Sequence, residues 1–200
     1  MSNLSAIVLA GGQSRRMGSD KALLSVAGQP LLRYVCEQAL VCVSQVWVVT
    51  PWGDRYRDLL PPGCEIVDEE HGSGWQGGGP LLGFAQGLSS VTTGWVLLLA
   101  CDLPNIRGET LKRWAKQRET MSPAISLLPR GSKGWEPLCG FYQTGCRVSL
   151  EAAIARGCRS FHAWLMDEAV QELLLESGDR EQLLNCNTPE DWASLGHPLG

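Results

Sequence analysis

The chain has 200 residues, with 17 lysines and arginines against 21 aspartates and glutamates, for a formal net charge of −4. That length suits one domain with a substantial core, and the mild acidity argues against binding nucleic acid or an anionic membrane through bulk charge. No apolar run approaches the roughly 20 residues that cross a bilayer, and the opening MSNLSAIVLAGG lacks the basic start of a secretory signal, so a cytoplasmic location is expected.

Ala6 to Ala10 is apolar and partly β-branched, as a buried strand is. It breaks at Gly11-Gly12, where the backbone is free to lie close to a ligand. Ser14, Arg15, Arg16, Gly18 and Lys21 follow. A strand that ends in glycines and then cations offers backbone N–H groups and fixed positive charge to an anion such as phosphate. Two common phosphate loops fail on spacing. Gly18 is followed by Ser19-Asp20 rather than Lys-Ser/Thr, and the adjacent Gly11-Gly12 do not fit G-x-G-x-x-G.

Further along, Gly28-Gln29-Pro30 turns the chain, and Pro30 is placed to start a helix running to about Val43. Gln45 to Thr50 is a second strand, Asp54 to Leu60 a short helix, and Cys64 to Val67 a third strand ending at Asp68. A polar, glycine-rich loop spans Glu69 to Gly79, and Pro80 starts a helix through Leu88. Trp95 to Ala100 is a continuous apolar strand ending at Cys101-Asp102-Leu103-Pro104, and Glu109 to Thr120 is an amphipathic helix. The second half alternates less regularly. Strands are expected at Ala124 to Leu128 and Glu136 to Tyr142, and helices at Arg147 to Arg156 and Ser160 to Leu165. Ala169 to Leu175 suits strand or helix. Thr188-Pro189-Glu190-Asp191 caps a last helix through Leu195.

Apolar strands alternating with helices predict a mostly parallel sheet covered on both faces. Sites in such sheets lie beyond the carboxyl ends of the strands. Gly11-Gly12, Asp68 and Asp102 each follow a predicted strand directly, so all three should gather on one edge. A partly buried carboxylate at the lip of a central strand needs a partner. Magnesium shared with nucleotide phosphates meets that need at Asp102, because this ion takes one or two carboxylates plus phosphate and water oxygens; a simple turn before Pro104 is the plainer alternative. The eight cysteines show no C-x-x-C pair and no zinc-ligand interval, which suits reduced, mostly buried thiols. The three histidines form no relay with a nucleophile.

The run L-A-G-G-x-S-x-R-M-G-x-D-K, from Leu9 to Lys21, resembles the signature loop of nucleotidyltransferases with the nucleotide-diphospho-sugar-transferase fold, and within them the molybdenum cofactor guanylyltransferases. The resemblance extends to Cys101-Asp102-x-Pro104, to Gly79-Pro80-Leu81-x-Gly83, to Glu136-Pro137-Leu138 with Tyr142, and to Asn185-x-Asn187-Thr188-Pro189-Glu190-Asp191. It implies a three-layer, Rossmann-like α/β fold in one domain, with residues 1–105 mainly serving the nucleotide and 106–200 mainly the acceptor. It implies that GMP passes from GTP to the phosphate of molybdopterin or its molybdenum form, with release of pyrophosphate and with Mg2+ as cofactor. Arg15, Arg16 and Lys21 would serve the phosphates and Asp102 the metal. Leu9, Ala10, Gly11, Gly12, Thr50, Asp68, Gly79, Pro80 and Leu81 would surround the nucleotide; Asn185, Asn187 and Arg159 would meet the pterin substrate. Molybdenum-insertion proteins and apo-molybdoenzymes are the implied protein partners. One departure stands out: Thr50-Pro51 occupies the place after the second strand where the guanylyltransferases commonly carry asparagine. Other readings are a molybdopterin cytidylyltransferase, a sugar-phosphate nucleotidyltransferase, and a nucleotide-binding adapter without turnover.

Overall fold

The computed structural model describes residues 3–12, 17–69, 79–120, 123–132 and 134–196. In chain order the first half gives β1 (Leu4–Leu9), a two-residue ribbon of β2 (Ser25–Val26) and β3 (Gln29–Pro30), α1 (Leu31–Leu40), β4 (Val46–Thr50), α2 (Gly53–Tyr56), β5 (Cys64–Asp68), α3 (Gly79–Leu88) and β6 (Trp95–Ala100). The second half gives α4 (Gly108–Lys116), β7 (Ser126–Leu128), a ribbon of β8 (Arg130–Gly131) and β9 (Gly134–Trp135), β10 (Cys139–Gln143), α5 (Arg147–Ala155), α6 (Phe161–Leu165), β11 (Val170–Glu172), α7 (Asp179–Gln182) and α8 (Pro189–Ser194).

Seven strands form one sheet in the order β11-β7-β10-β6-β1-β4-β5. Strands β6, β1, β4 and β5 are mutually parallel, and β11 is parallel to β7. Strand β10 runs antiparallel between β6 and β7. The alternation of strand and helix in the first half therefore has its expected consequence, a doubly covered parallel sheet. One face packs on Leu31, Leu32 and Val35 of α1, Trp114 of α4 and Trp192 of α8. The other packs on Leu81 and Phe84 of α3, Leu150 and Ile154 of α5, and Phe161 and Trp164 of α6. This is the three-layer arrangement expected from the sequence.

Several elements are shorter than expected. The strand expected from Glu136 starts only at Cys139. Pro137 has no N–H for a ladder, and the buried Tyr142 hydroxyl donates 2.8 Å back to the Pro137 carbonyl, folding Glu136 to Leu138 into a turn. The helix after Pro30 ends at Leu40 rather than Val43. The helices expected at 54–60 and 109–120 each finish as a tighter 3-10 turn, Arg57–Leu59 and Gln117–Thr120. The ambiguous 169–175 stretch resolves as strand β11. At the last helix the predicted cap is present in full. Thr188 accepts from the Asp191 N–H while Asp191 accepts from the Thr188 N–H. No helix among the described residues is long and apolar enough to cross a membrane.

Candidate active site

The carboxyl ends of β1, β4, β5 and β6 open into a cavity of about 250 Å³. Its floor is the backbone from Leu9 to Gly12. That segment is held on both sides: the Cys101 N–H donates 3.1 Å to the Leu9 carbonyl, and the Ala10 N–H donates 2.9 Å to the Val49 carbonyl. The buried Thr50 hydroxyl adds a 3.0 Å bond to the Ala10 carbonyl and accepts from the Trp52 N–H at 3.2 Å. Thr50, expected among the nucleotide contacts, thus has its side chain engaged with the protein, where it fixes the loop that follows β1.

Lys21 and Asp102 face each other at this floor, with Nζ 3.6 Å from Oδ2 and both side chains mostly buried. Burial pushes the Asp102 carboxyl above the usual range, and the Lys21 ammonium pulls it partly back. The Oδ1 atom of Asp102 is buried and has no hydrogen-bond partner among the described residues. Lys21 also donates 2.7 Å to Asn187 Oδ1. The Cys186 N–H donates 3.0 Å to the Asp102 carbonyl, and the Asn187 N–H donates 2.9 Å to Asp191. The C-terminal asparagine motif is therefore pinned directly against the lysine and aspartate of the first half. Asp191 is held below the usual carboxylate range by the backbone N–H groups of Asn187 and Thr188.

Sequence reasoning overlooked the partners of the residue before Lys21. Asp20 Oδ1 accepts from the Ala22 N–H at 3.1 Å, capping the short turn that carries the lysine. Its Oδ2 accepts from the buried Tyr56 hydroxyl at 2.8 Å and pairs with Arg55 at 2.9 Å. Hydrogen bonding to a carboxylate rigidifies the turn and aims Lys21 inward. The only sequence signal was the aspartate of the loop motif itself, because nothing local announces that α2 will supply its partners.

Leu9, Ala10, Gly11, Gly12, Lys21, Gly79, Pro80 and Asp102 line the cavity. Leu81 does not; it is fully buried beneath α3. Asp68 is exposed at the end of β5, with its carboxylate against Gly53, while the next residue, Glu69, lines the cavity. Successive strand residues point to opposite faces, and the cavity lies on the face of Glu69. Arg15 and Arg16 lie outside the described residues. Asn185 and Arg159 line a second cavity, of about 370 Å³, that shares Pro80 and Leu138 with the first and also includes Glu136 and His162. Asn187 meets the first site through Lys21 and Asn185 meets the second.

A glycine loop after the first strand, facing a lysine and a half-orphaned carboxylate at the end of a central parallel strand, defines a nucleotide-binding α/β protein of the nucleotidyltransferase class. Residues 6–171 match the MobA-like NTP transferase domain. A probable molybdenum cofactor guanylyltransferase of Nostoc sp. is 53% identical over 98% of this chain and 91% of its own length. A counterpart from Synechococcus elongatus is 42% identical over 96% and 98%. Among solved structures, molybdopterin-guanine dinucleotide biosynthesis protein A of Archaeoglobus fulgidus superposes with a TM-score of 0.75 at 25% identity, covering 96% of each chain. A nucleotidyl transferase of Methanothermobacter, at 19% identity, shares the fold with a TM-score of 0.74. The chain belongs to the MobA-like NTP transferase family, among its molybdenum cofactor guanylyltransferases.

Proposed function

We propose that the chain transfers GMP from GTP to the terminal phosphate of molybdopterin, or of its molybdenum form, and releases pyrophosphate. The observation that carries this reading is the Lys21–Asp102 pair set against the Leu9 to Gly12 backbone and tied to Asn187. An oxygen of the acceptor phosphate attacks the α-phosphorus of GTP, and the bond from that phosphorus to the bridging β-oxygen breaks. The attacking oxygen is already largely ionised near neutral pH, so no protein base is needed. What remains for the protein is positioning and stabilisation of charge.

Lys21 supplies a fixed positive charge in a mostly dry setting, where it acts more strongly than in water. Arg15 and Arg16, by their place in the loop motif, would add positive charge for the phosphates. The helix α3 presents Gly79 and Pro80 to the cavity, so its N-terminal end faces the ligand. Asp102 suits Mg2+, since its buried Oδ1 lacks a partner among the described residues and its Oδ2 is shared with Lys21. When bound, that ion would neutralise phosphate charge. Residues 1–105 hold the nucleotide. The second cavity, with Asn185, Arg159 and Glu136, takes the pterin beside it. Molybdenum-insertion proteins and apo-molybdoenzymes would supply and receive the cofactor.

The test is turnover with molybdopterin, Mg2+ and each of GTP, CTP, ATP and UTP, followed by pyrophosphate release. Release that needs molybdopterin and favours GTP is expected. Preference for CTP would move the chain to the cytidylyl reaction, and nucleotide binding without pyrophosphate release would leave it an adapter.

A further inference from the structure

We propose that Tyr56 is a positioning residue for Lys21: through Asp20, its hydroxyl fixes the backbone from which the lysine reaches the phosphates. The inference rests on the guanylyl reading, which gives Lys21 that task. Tyr56 ends α2 and is 1% exposed. Its ring packs in the core on the α1 face of the sheet and meets Trp52 edge to face at 6.3 Å. A phenylalanine would supply the same packing. The hydroxyl is the addition, and a buried hydroxyl needs a partner. It donates 2.8 Å to Asp20 Oδ2. Burial and the neighbouring Asp20 carboxylate push the Tyr56 hydroxyl above its ordinary range, so it keeps the proton it donates.

Asp20 divides its two oxygens between two elements. Oδ2 faces α2, where Arg55 joins Tyr56 at 2.9 Å, and Oδ1 faces the turn, where the Ala22 N–H donates 3.1 Å. The main chain closes the same turn, since the Leu23 N–H donates to the Asp20 carbonyl and the Leu24 N–H to the Lys21 carbonyl. Lys21 thus starts from a backbone tied to α2. Its far end is held as well, by Asp102 at 3.6 Å and Asn187 at 2.7 Å. A lysine side chain is a flexible four-carbon stem, so its ammonium keeps one place only when both ends are held. Asp20 provides the near hold, and α2 holds Asp20.

The same short stretch grips the chain on the other side of the glycine loop. The Thr50 hydroxyl donates to the Ala10 carbonyl and accepts from the Trp52 N–H. From Thr50 to Tyr56, then, one segment holds both the backbone floor at Ala10 and the lysine turn at Asp20, and sets the distance between them. Placement of this kind weighs on the chemical step, where an error of about 1 Å can cost a hundredfold in rate. Ground-state attraction between Lys21 and a phosphate falls only with the inverse of distance and survives such an error far better. Loss of the Tyr56 hydroxyl should accordingly appear in kcat rather than KM. Tyr56 also lines the cavity, so direct contact with the nucleotide is the rival role, and that role would appear in KM.

The test measures kcat and KM for GTP with molybdopterin and Mg2+, together with Tm, in the wild type, Tyr56→Phe, Lys21→Ala and the double variant. Asp179→Asn, which loosens a tie outside both cavities, is the control for stability. Tyr56→Phe should lower kcat by roughly tenfold to a hundredfold, with KM within about threefold of the wild type. In the Lys21→Ala background the same change should cost less than about twofold, because the group it places is gone. Asp179→Asn should lower Tm and leave kcat alone. An unchanged kcat in Tyr56→Phe overturns the inference. An equal loss in both lysine backgrounds also overturns it, by making the hydroxyl independent of Lys21. A loss confined to KM makes Tyr56 a nucleotide contact, and a matching kcat loss in Asp179→Asn makes the effect one of general stability; either sinks the positioning role. A wild type that releases no pyrophosphate from any nucleotide defeats the guanylyl reading and this inference with it, whereas a GTP-using wild type with an indifferent Tyr56→Phe defeats this inference alone.

Discussion

Lys21 donates to the Asn187 side-chain oxygen at 2.7 Å across 166 residues of chain. One contact therefore joins the loop after β1 to the C-terminal asparagine motif, and Asp191 of the capping box holds Asn187 in place for it. A bond from a charged donor is worth about 1.5–3 kcal/mol. Asn187→Ala should lower kcat/KM by roughly tenfold to a hundredfold on that basis. Lys21→Ala should cost about a hundredfold to a thousandfold, as loss of a preorganised charge does. The double variant should fall short of the sum by at least about 0.5 kcal/mol, because the residues act as a unit. Strict additivity in a double-mutant cycle would show that Asn187 acts independently of the lysine.

Asp102→Asn separates function from stability. Burial raises the Asp102 carboxyl, so the ionised form weighs against the fold; the folded state holds this proton more tightly than the unfolded chain, and this contribution weakens as pH rises. Removing the charge should leave Tm unchanged or higher. Turnover should fall by about a hundredfold or more, as for loss of a group that stabilises transition-state charge, and Mg2+ should no longer tighten nucleotide binding. A marked drop in Tm with magnesium-dependent turnover intact would sink the metal assignment.

Much of the site was legible in the sequence because parallel strands deliver their following residues to one edge. The loop from Leu9, Gly79-Pro80 and Asp102 could be placed by their position after a strand or at a helix start. Asn187 could be placed only by resemblance. The contacts that lock these pieces could not be read. Tyr56 reaches Asp20 only because α2 packs beside the loop, and no local pattern encodes that meeting. The choice between Asp68 and Glu69 turns on one residue of strand register, which composition does not fix. The turn α7 escaped notice for a similar reason, being four residues held by long-range partners rather than by helix periodicity.

Those partners make an acid-sensitive tie. Asp179 is buried and accepts from Arg113, from the Trp114 indole at 2.9 Å and from the Glu176 N–H at 2.9 Å. Burial alone would raise its carboxyl, but Arg113, the Glu176 N–H and Trp114 outweigh it and hold the group below the usual range. A depressed folded value means stability that is fully present above the unfolded pKa, about 3.9, and is lost as pH falls through the folded one. Asp179→Ala should cost about 2 kcal/mol, chiefly by leaving the buried Trp114 indole without its acceptor while Arg113 keeps Glu176, or roughly 4–8 °C in Tm. Asp179→Asn should flatten the acid limb of stability against pH, measured by urea unfolding between pH 3 and 7. An unchanged acid limb would place the tie elsewhere.

Two glycines of α3 should respond in opposite ways. A Cβ at Gly87 would lie 2.9 Å from Ile7 Cδ1 and 2.9 Å from Val49 Cγ2, inside the contact between the helix and the sheet. Overpacking there costs about 1–3 kcal/mol, and the better helix propensity of alanine returns up to about 1 kcal/mol. Gly87→Ala should therefore lower Tm by a few degrees, with a smaller effect on GTP binding. At Gly83 the nearest atoms to an added Cβ are Leu9 Cδ2 at 3.4 Å and Val49 Cγ1 at 3.6 Å, so packing tolerates it. Gly83 lines the first cavity, however, and Leu9 is part of its floor. Gly83→Ala should hold or raise Tm through helix propensity while weakening GTP binding by intruding on the ligand's space. Calorimetric affinity and thermal unfolding on both variants decide the matter: equal losses of affinity at the two positions would mean that α3 moves as a rigid whole, and that nearness to the cavity does not separate the glycine that packs from the glycine that binds.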